Sequence, residues 1–177
     1  MDSQVIFSKL VALYKTVDTS LKNNSYVFSK PEAEIRLKPP PNLPVNMIRN
    51  HISTIGFVEK KCVVLKDWKW ANNVRLRLED GEKTIIQKTQ VGNAFRFNTN
   101  TGWGGRVVVS TETNCEQPPM TPTYYREVTR VSYTQHDERF AIDLSFNDLL
   151  TEVEIEILDT CIEPVDIGLL VTSICCS

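Results

Sequence analysis

The chain has 177 residues, of which 41% are hydrophobic and 24% charged, and its formal net charge is −2. These values are typical of one globular domain, and we expect residues 1–177 to form it. A net charge so close to zero argues against a broadly basic surface and permits only a local basic site.

Helical spacing marks two segments in the first third of the chain. Apolar residues at steps of three and four predict an N-terminal helix over residues 3–22. A second helix is indicated between Met47 and Ile55, closed by Gly56. Between the two helices a strand over residues 32–38 is predicted, which ends at Pro39-Pro40-Pro41 because proline cannot continue a hydrogen-bonded ladder.

From residue 57 onward, apolar and polar residues alternate, which predicts β-structure. The candidate strands are residues 57–70, 73–79, 83–90, 94–98, 106–113, 125–134, 138–146 and 152–158. Residues 98–105 and 116–123 are predicted loops, and the residues after 158 a C-terminal tail. A β-barrel built from these strands and from the strand over residues 32–38 is expected to span about residues 30–158.

The dipeptide Asp80-Gly81 predicts a two-residue hairpin turn. Its register would pair Glu79 with Glu82, Arg77 with Thr84 and Arg75 with Ile86. Side chains two apart lie on one face of a strand, so Arg75, Arg77 and Lys88 would share one face of this hairpin.

Alternating glutamates are the most informative feature of the chain. They occur near opposite ends, as Glu32-Ala33-Glu34-Ile35-Arg36 and as Glu152-Val153-Glu154-Ile155-Glu156-Ile157. On a strand, each segment places its carboxylates on one face and its apolar residues on the other. Carboxylates crowded in this way need a compensating cation, and oxygen ligands suit a hard divalent ion such as Mg²⁺ or Mn²⁺.

The charged faces of the predicted strands are grouped by sign, acidic near both ends of the chain and basic between them. An antiparallel sheet with one wet face would show alternation without any special function. The grouping by sign, together with two apolar helices, favours an α+β protein that is mainly antiparallel β. We expect a closed eight-stranded tunnel barrel with a charged interior and a few helices packed outside. Such a tunnel suits a polyphosphate.

The same residues resemble the motifs of a known family, the triphosphate tunnel metalloenzymes. Within it the match is to the metal-dependent RNA 5′-triphosphatases of fungi, protists and large DNA viruses. The motifs are the first glutamate pair, Arg75/Arg77, Lys88, Glu112, Arg130-Val131-Ser132-Tyr133, Ile142-Asp143-Leu144 and the last glutamate segment, in this order. The resemblance covers about residues 30–158. One departure is Val128, where the family has a basic residue; Arg126 lies one step back on the same face and is expected to substitute.

The resemblance implies a role for each motif. The metal, Mg²⁺ or Mn²⁺, would be held by Glu32, Glu34 and the last strand, with Glu156 favoured as direct ligand and Glu152 and Glu154 acting through water. Arg75 or Arg77, Lys88, Arg126 and Arg130 would bind the γ-phosphate. Glu112 or Glu154 would position the attacking water, and Asp143 would orient neighbouring basic side chains.

The implied activity is removal of the γ-phosphate from the 5′-triphosphate end of nascent RNA in mRNA capping, with hydrolysis of NTPs as a further activity. The partners would be that RNA end, NTPs and an RNA guanylyltransferase. Two alternatives remain open: a tripolyphosphatase or other small-triphosphate hydrolase of the same fold, and a non-enzymatic β-sheet interaction module.

Further expectations concern the location of the protein and its cysteines. The first residues do not resemble a signal peptide, and no apolar run reaches membrane-spanning length. We therefore expect an intracellular protein (nucleus or cytoplasm, including a host cell for a viral protein) without a membrane partner. The five cysteines lack zinc-binding spacing and are interpreted as free thiols.

Overall fold

The computed structural model describes residues 30–158 and 164–176, and the helix predicted over residues 3–22 lies outside them. The described part contains nine strands and two helices. In chain order they are β1 (Lys30–Lys38), α1 (Val45–Thr54), β2 (Val58–Lys69), β3 (Val74–Glu79), β4 (Glu82–Gln90), β5 (Phe95–Asn98), β6 (Gly104–Asn114), β7 (Tyr124–Thr134), β8 (Phe140–Phe146), β9 (Thr151–Ile157) and α2 (Pro164–Cys175).

Eight of the strands close into an antiparallel barrel. Their order around it is β1-β9-β8-β7-β2-β3-β4-β6, and pairing of β6 with β1 completes the circle. Strand β5 stands outside this circle and pairs with the first half of β6. The closed eight-stranded barrel predicted from the sequence is therefore confirmed, with one additional strand.

The hairpin of β3 and β4 has the predicted register. Glu79 pairs with Glu82, Arg77 with Thr84 and Arg75 with Ile86. Asp80 and Gly81 have φ angles of 50° and 80°, so both central residues of the turn are left-handed. That turn matches the twist of the flanking strands, which is why the dipeptide predicts the register so well.

The main hydrophobic core lies outside the barrel. It joins the outer faces of β1, β5, β6, β7, β8 and β9 to both helices, and its members include Ile35, Ile52, Val131, Ile142, Ile155 and Ile167. Small barrels usually fill their interior with side chains. Here the apolar face points outward to the helices, so the inward face is left to charged residues, as predicted.

Two predictions of local structure differ from the molecule. The segment predicted as a C-terminal tail contains α2, whose Ile167, Val171 and Ile174 are buried against the barrel at helical spacing. The loop predicted over residues 98–105 is shorter, because β6 already begins at Gly104. A Cβ on Gly105 would clash with the ring of Phe97 on β5, so glycine is what allows the two strands to pair closely.

Neither helix of the described residues is long and apolar enough to cross a membrane.

Candidate active site

The two glutamate segments meet on adjacent strands. β1 and β9 are antiparallel neighbours, with Glu34 opposite Glu156 and Arg36 opposite Glu154. Directly paired residues point to the same face of a sheet, so both carboxylate rows face the interior of the barrel, called the tunnel below. The structure therefore places the four predicted metal ligands, Glu32, Glu34, Glu154 and Glu156, on the inner face of two neighbouring strands.

Lys88 lies among the carboxylates of this region. Its Nζ is 3.2 Å from Glu32 Oε2, 3.1 Å from Glu34 Oε1 and 3.6 Å from Glu112 Oε1. Lys88 and Glu112 are also cross-strand partners between β4 and β6. One ammonium thus compensates three acidic side chains that come from two different strands.

The carboxylates around Lys88 are a candidate donor set for a divalent cation. Among the described residues, no group of three or more His, Cys, Asp and Glu side chains is already gathered as in a formed metal site. The oxygens of Glu32 and Glu34 nevertheless approach one cationic atom, the Lys88 Nζ, and Glu156 is the register partner of Glu34. An all-oxygen donor set of this kind fits Mg²⁺ or Mn²⁺.

Glu154 is surrounded by arginines. Its carboxylate is 3.8 Å from Arg36 Nε and 3.7 Å from Arg130 Nη2. Burial acts to raise its pKa, but Arg130 and Arg36 outweigh burial and hold the pKa at about 2. Burial raises the pKa of neighbouring Glu152, and the adjacent Glu154 raises it further. Glu154 is therefore ionised at neutral pH, whereas Glu152 takes up a proton more readily.

Arg130 and Asp143 form a network on β7 and β8. Arg130 donates from Nε to Ser145 Oγ over 2.9 Å and from Nη1 to Asp143 Oδ2 over 3.4 Å. Ser132 donates to the other oxygen of Asp143 over 2.6 Å. Asp143 thus contacts a basic side chain that points into the tunnel, which is the position its expected orienting role requires.

Asp67 on β2 is the functional residue that sequence reasoning missed. It is 0% exposed and accepts two hydrogen bonds from Arg77, of 2.7 and 2.9 Å, and one from Arg126, of 3.2 Å. Burial opposes its ionisation, but Arg77 above all lowers the pKa of Asp67 to about 2. The signal in the sequence was Asn72-Asn73, a turn that places Asp67 opposite Arg77.

Arg75 differs from Arg77 in having few partners. Its guanidinium is 3.7 Å from Glu112 Oε1, and its Nε is buried without a hydrogen-bond partner in the described residues. Burial lowers the pKa of Arg75, and the charge of Arg77 lowers it further. A buried N–H group of this kind is rare in folded proteins and normally meets a partner or a ligand. Arg77 is thus held by Asp67, whereas Arg75 keeps an N–H group without a partner among the described residues.

Val128 faces the tunnel beside Leu65, its register partner on β2, and both are almost fully buried. The departure from the family pattern thus leaves an apolar patch on this wall. Arg126 lies one step nearer the start of β7 on the same face, where it contacts Asp67.

No protein-family model and no curated protein matches the chain. Among solved structures, the S. pombe Pct1 RNA triphosphatase matches with a TM-score of 0.61 at 15% identity, over 88% of this chain and 77% of that one. The RNA triphosphatase domain of a trifunctional mimivirus mRNA capping enzyme matches with a TM-score of 0.51 at 12% identity, over 92% and 95%. The PH1819 protein of Pyrococcus horikoshii OT3 matches with a TM-score of 0.51 at 13% identity, over 80% and 88%. The chain thus has the triphosphate tunnel fold.

Proposed function

We propose that the protein is a metal-dependent RNA 5′-triphosphatase, which hydrolyses the γ-phosphate from the 5′-triphosphate end of nascent RNA. The observation that carries this proposal is the pairing of Glu34 with Glu156 and of Arg36 with Glu154 on the inner face of a closed tunnel. Carboxylates on one wall, with basic side chains on the others, suit a metal-bound polyphosphate. The fold shared with RNA triphosphatases supports the same conclusion.

Glu32, Glu34 and Glu156 would hold the cation, and Glu152 and Glu154 would reach it through water. Their oxygen-only donor set favours Mg²⁺ or Mn²⁺ over softer metals. When bound, the cation would neutralise and orient the phosphate oxygens as a Lewis acid.

The γ-phosphate would be bound by Arg75, Lys88 and Arg130. Arg75 is the better candidate on β3, because its buried Nε lacks a partner among the described residues while Arg77 is held by both oxygens of Asp67. Arg77 and Arg126 would then act through Asp67, fixing the wall against which the phosphate lies. This division assigns binding to one arginine and positioning to the other.

The reaction consumes one water. Its oxygen bonds to the γ-phosphorus while the bond from that phosphorus to the bridging oxygen breaks. The products are ppRNA, which keeps the bridging oxygen, and phosphate, which carries both hydrogens of the water. Glu112 lies beside both Lys88 and Arg75 and would orient this water. Glu154 remains ionised between Arg36 and Arg130 and could share that role. As the first step of capping, the product would pass to an RNA guanylyltransferase.

The proposal is tested by phosphate release from γ-labelled 5′-triphosphate RNA, ATP and tripolyphosphate, each with Mg²⁺, Mn²⁺ or EDTA. We expect turnover that EDTA abolishes, and losses of at least about 100-fold in kcat/KM for Glu34→Gln and Arg75→Gln. Arg49→Gln is the matched control, because Arg49 pairs with Glu59 on the exposed surface of the protein.

Two results would overturn the proposal. Turnover of tripolyphosphate equal to or above that of RNA would favour the small-triphosphate hydrolase. Absence of phosphate release from every substrate would favour the interaction module.

A further inference from the structure

Three arginines stand side by side at one end of the tunnel. Arg36 on β1 is the register partner of Arg106 on β6, and Arg106 is the register partner of Arg96 on β5. Directly paired residues share a face, so these side chains form one row across three strands, called the arginine row below. Like charges directly opposite one another destabilise a sheet. The arrangement therefore needs a physical reason.

The protein itself compensates this row incompletely. Arg36 forms ion pairs with Glu34 and Glu154. Among the described residues, neither Arg96 nor Arg106 forms an ion pair or a side-chain hydrogen bond. Burial lowers the pKa of Arg106, and the charges of Arg36 and Arg96 lower it further. The positive charge of the row is thus only partly compensated: Arg36 has ion pairs, whereas Arg106 interacts with Glu152 and Glu34 at longer range.

A cavity of about 510 Å³ opens over the arginine row. Lys38 lines it as well, and Glu152 is the one carboxylate among its lining residues. The cavity is an open, electropositive space that would accept an anion.

Strand direction places this cavity at one mouth of the tunnel. Neighbouring strands are antiparallel, so the end of β1 lies at the same mouth as the starts of β6 and β7 and the end of β2. That mouth, called the basic mouth below, also carries Lys69 at the end of β2. The pKa of Lys69 is lowered to about 8, first by burial and then by the charges of Arg126 and Arg36.

The opposite mouth carries charge of both signs. The β3–β4 hairpin lies there with Glu79, Asp80 and Glu82, and Lys61 pairs with the first two of them. Lys83 in the same hairpin adds a further positive charge. Charge at this end is thus largely balanced, whereas positive charge is in excess at the basic mouth, which would attract an RNA chain that leaves the tunnel.

We propose that the arginine row binds the phosphodiester backbone of the RNA that follows the triphosphate end. This inference rests on the proposed function and specifies how the site distinguishes RNA from a free triphosphate. ATP and tripolyphosphate have no phosphate beyond the triphosphate group and would not reach Arg96, which stands on the strand outside the barrel circle. Contacts of this kind position a nucleic acid without reading its bases.

The first experiment compares kcat/KM for a 5′-triphosphate RNA decamer, ATP and tripolyphosphate in the wild type, Arg96→Gln and Arg106→Gln. We expect each substitution to lower the RNA value about fivefold, mainly through KM, and to change the two small substrates less than twofold. Arg49→Gln removes the same charge from a distant surface and should change none of the three. An equal loss on all substrates would overturn the inference, because the row would then belong to the triphosphate site.

A second measurement is independent of hydrolysis. Binding of a 5′-hydroxyl RNA decamer in EDTA is followed by fluorescence anisotropy as a function of salt. Each arginine removed from the row should lower the slope of log K against log salt by about 0.7. An unchanged slope would overturn the inference. If the wild type releases no phosphate from any substrate, the proposed function fails, while this binding experiment still decides what the arginine row does.

Discussion

Crowded charges are compensated by ion pairs in the middle of the tunnel but are mostly uncompensated at its basic mouth. In the middle, Lys88 compensates Glu32, Glu34 and Glu112, and Arg77 and Arg126 compensate Asp67. At the mouth, Arg96 and Arg106 are direct cross-strand neighbours and form no ion pair among the described residues. Strands β1 and β6 contribute residues to both regions, so the difference arises from which residues stand at each level of the barrel.

Stability and binding should depend on different residues in these two regions. Removing one member of a buried, compensated ion pair leaves the other charge uncompensated and costs several kcal/mol. Removing one of several like charges at a mouth relieves repulsion and costs little. Substitutions in the middle should therefore destabilise the protein, and substitutions at the mouth should mainly change what it binds.

The largest effect on stability is expected for Asp67→Asn. The substitution leaves Arg77 and Arg126 without their shared carboxylate, and the free energy of unfolding should fall by about 3–5 kcal/mol in urea titrations at neutral pH. The pKa of Asp67 in the folded state is about 2, below its value in the unfolded chain. The difference between the variants should thus be complete above about pH 4 and shrink as the pH falls towards 2.

Asp80→Asn is the control for this prediction, because Asp80 lies in the exposed turn and pairs only with Lys61 in the described part of the chain. It should change stability by less than about 0.5 kcal/mol. A loss below about 1 kcal/mol for Asp67→Asn would contradict the view that the tunnel wall depends on this carboxylate.

A smaller effect is expected for Lys88→Gln. In EDTA the variant should lose about 1–3 kcal/mol, since Glu32 and Glu34 lose their ammonium partner. Added Mn²⁺ should raise its melting temperature more than that of the wild type, because the cation no longer competes with an internal charge. Equal Mn²⁺ shifts in the two proteins would show that Lys88 and the metal do not share these carboxylates. Lys61→Gln, which removes an exposed lysine of β2, should behave as the wild type.

The smallest effect is expected for Lys69→Met at the basic mouth. The folded-state pKa of Lys69, about 8, lies below the usual 10.5, so its charge destabilises the folded protein at neutral pH. The unfolded chain binds more protons between these two values, and wild-type stability should rise relative to the variant from about pH 8 to pH 10.5. The change should be about 1–2 kcal/mol after screening by solvent, measured by urea titration across this range. A difference independent of pH would mean that burial and the neighbouring arginines do not lower the pKa of Lys69 in the folded protein.

Much of the fold followed from local patterns in the sequence. The Asp80-Gly81 turn fixed the register of β3 and β4, and period-two alternation located the strands. Helix α2 was missed although Ile167, Val171 and Ile174 have helical spacing, because the segment follows the last motif and was interpreted as a tail.

The site was predicted only in part. The glutamate segments can be recognised in the sequence because like charges alternate on single strands. Asp67 does not, since it is one acidic residue between Lys66 and Trp68, and its importance depends on Arg77 and Arg126 from two other strands. The arginine row is not visible in the sequence either. Its three members come from three strands, and only the strand register places them side by side.

The sequence by itself determined which face of each strand is charged, where the hairpin turns and which carboxylate rows exist, because these depend on residues two to four apart. Only the tertiary structure decided that β1 lies between β9 and β6, that Lys88 rather than another base meets Glu32 and Glu34, and that positive charge collects at one mouth. Barrel closure and the pairing of strands distant in the sequence set those distances, and neither depends on residues two to four apart.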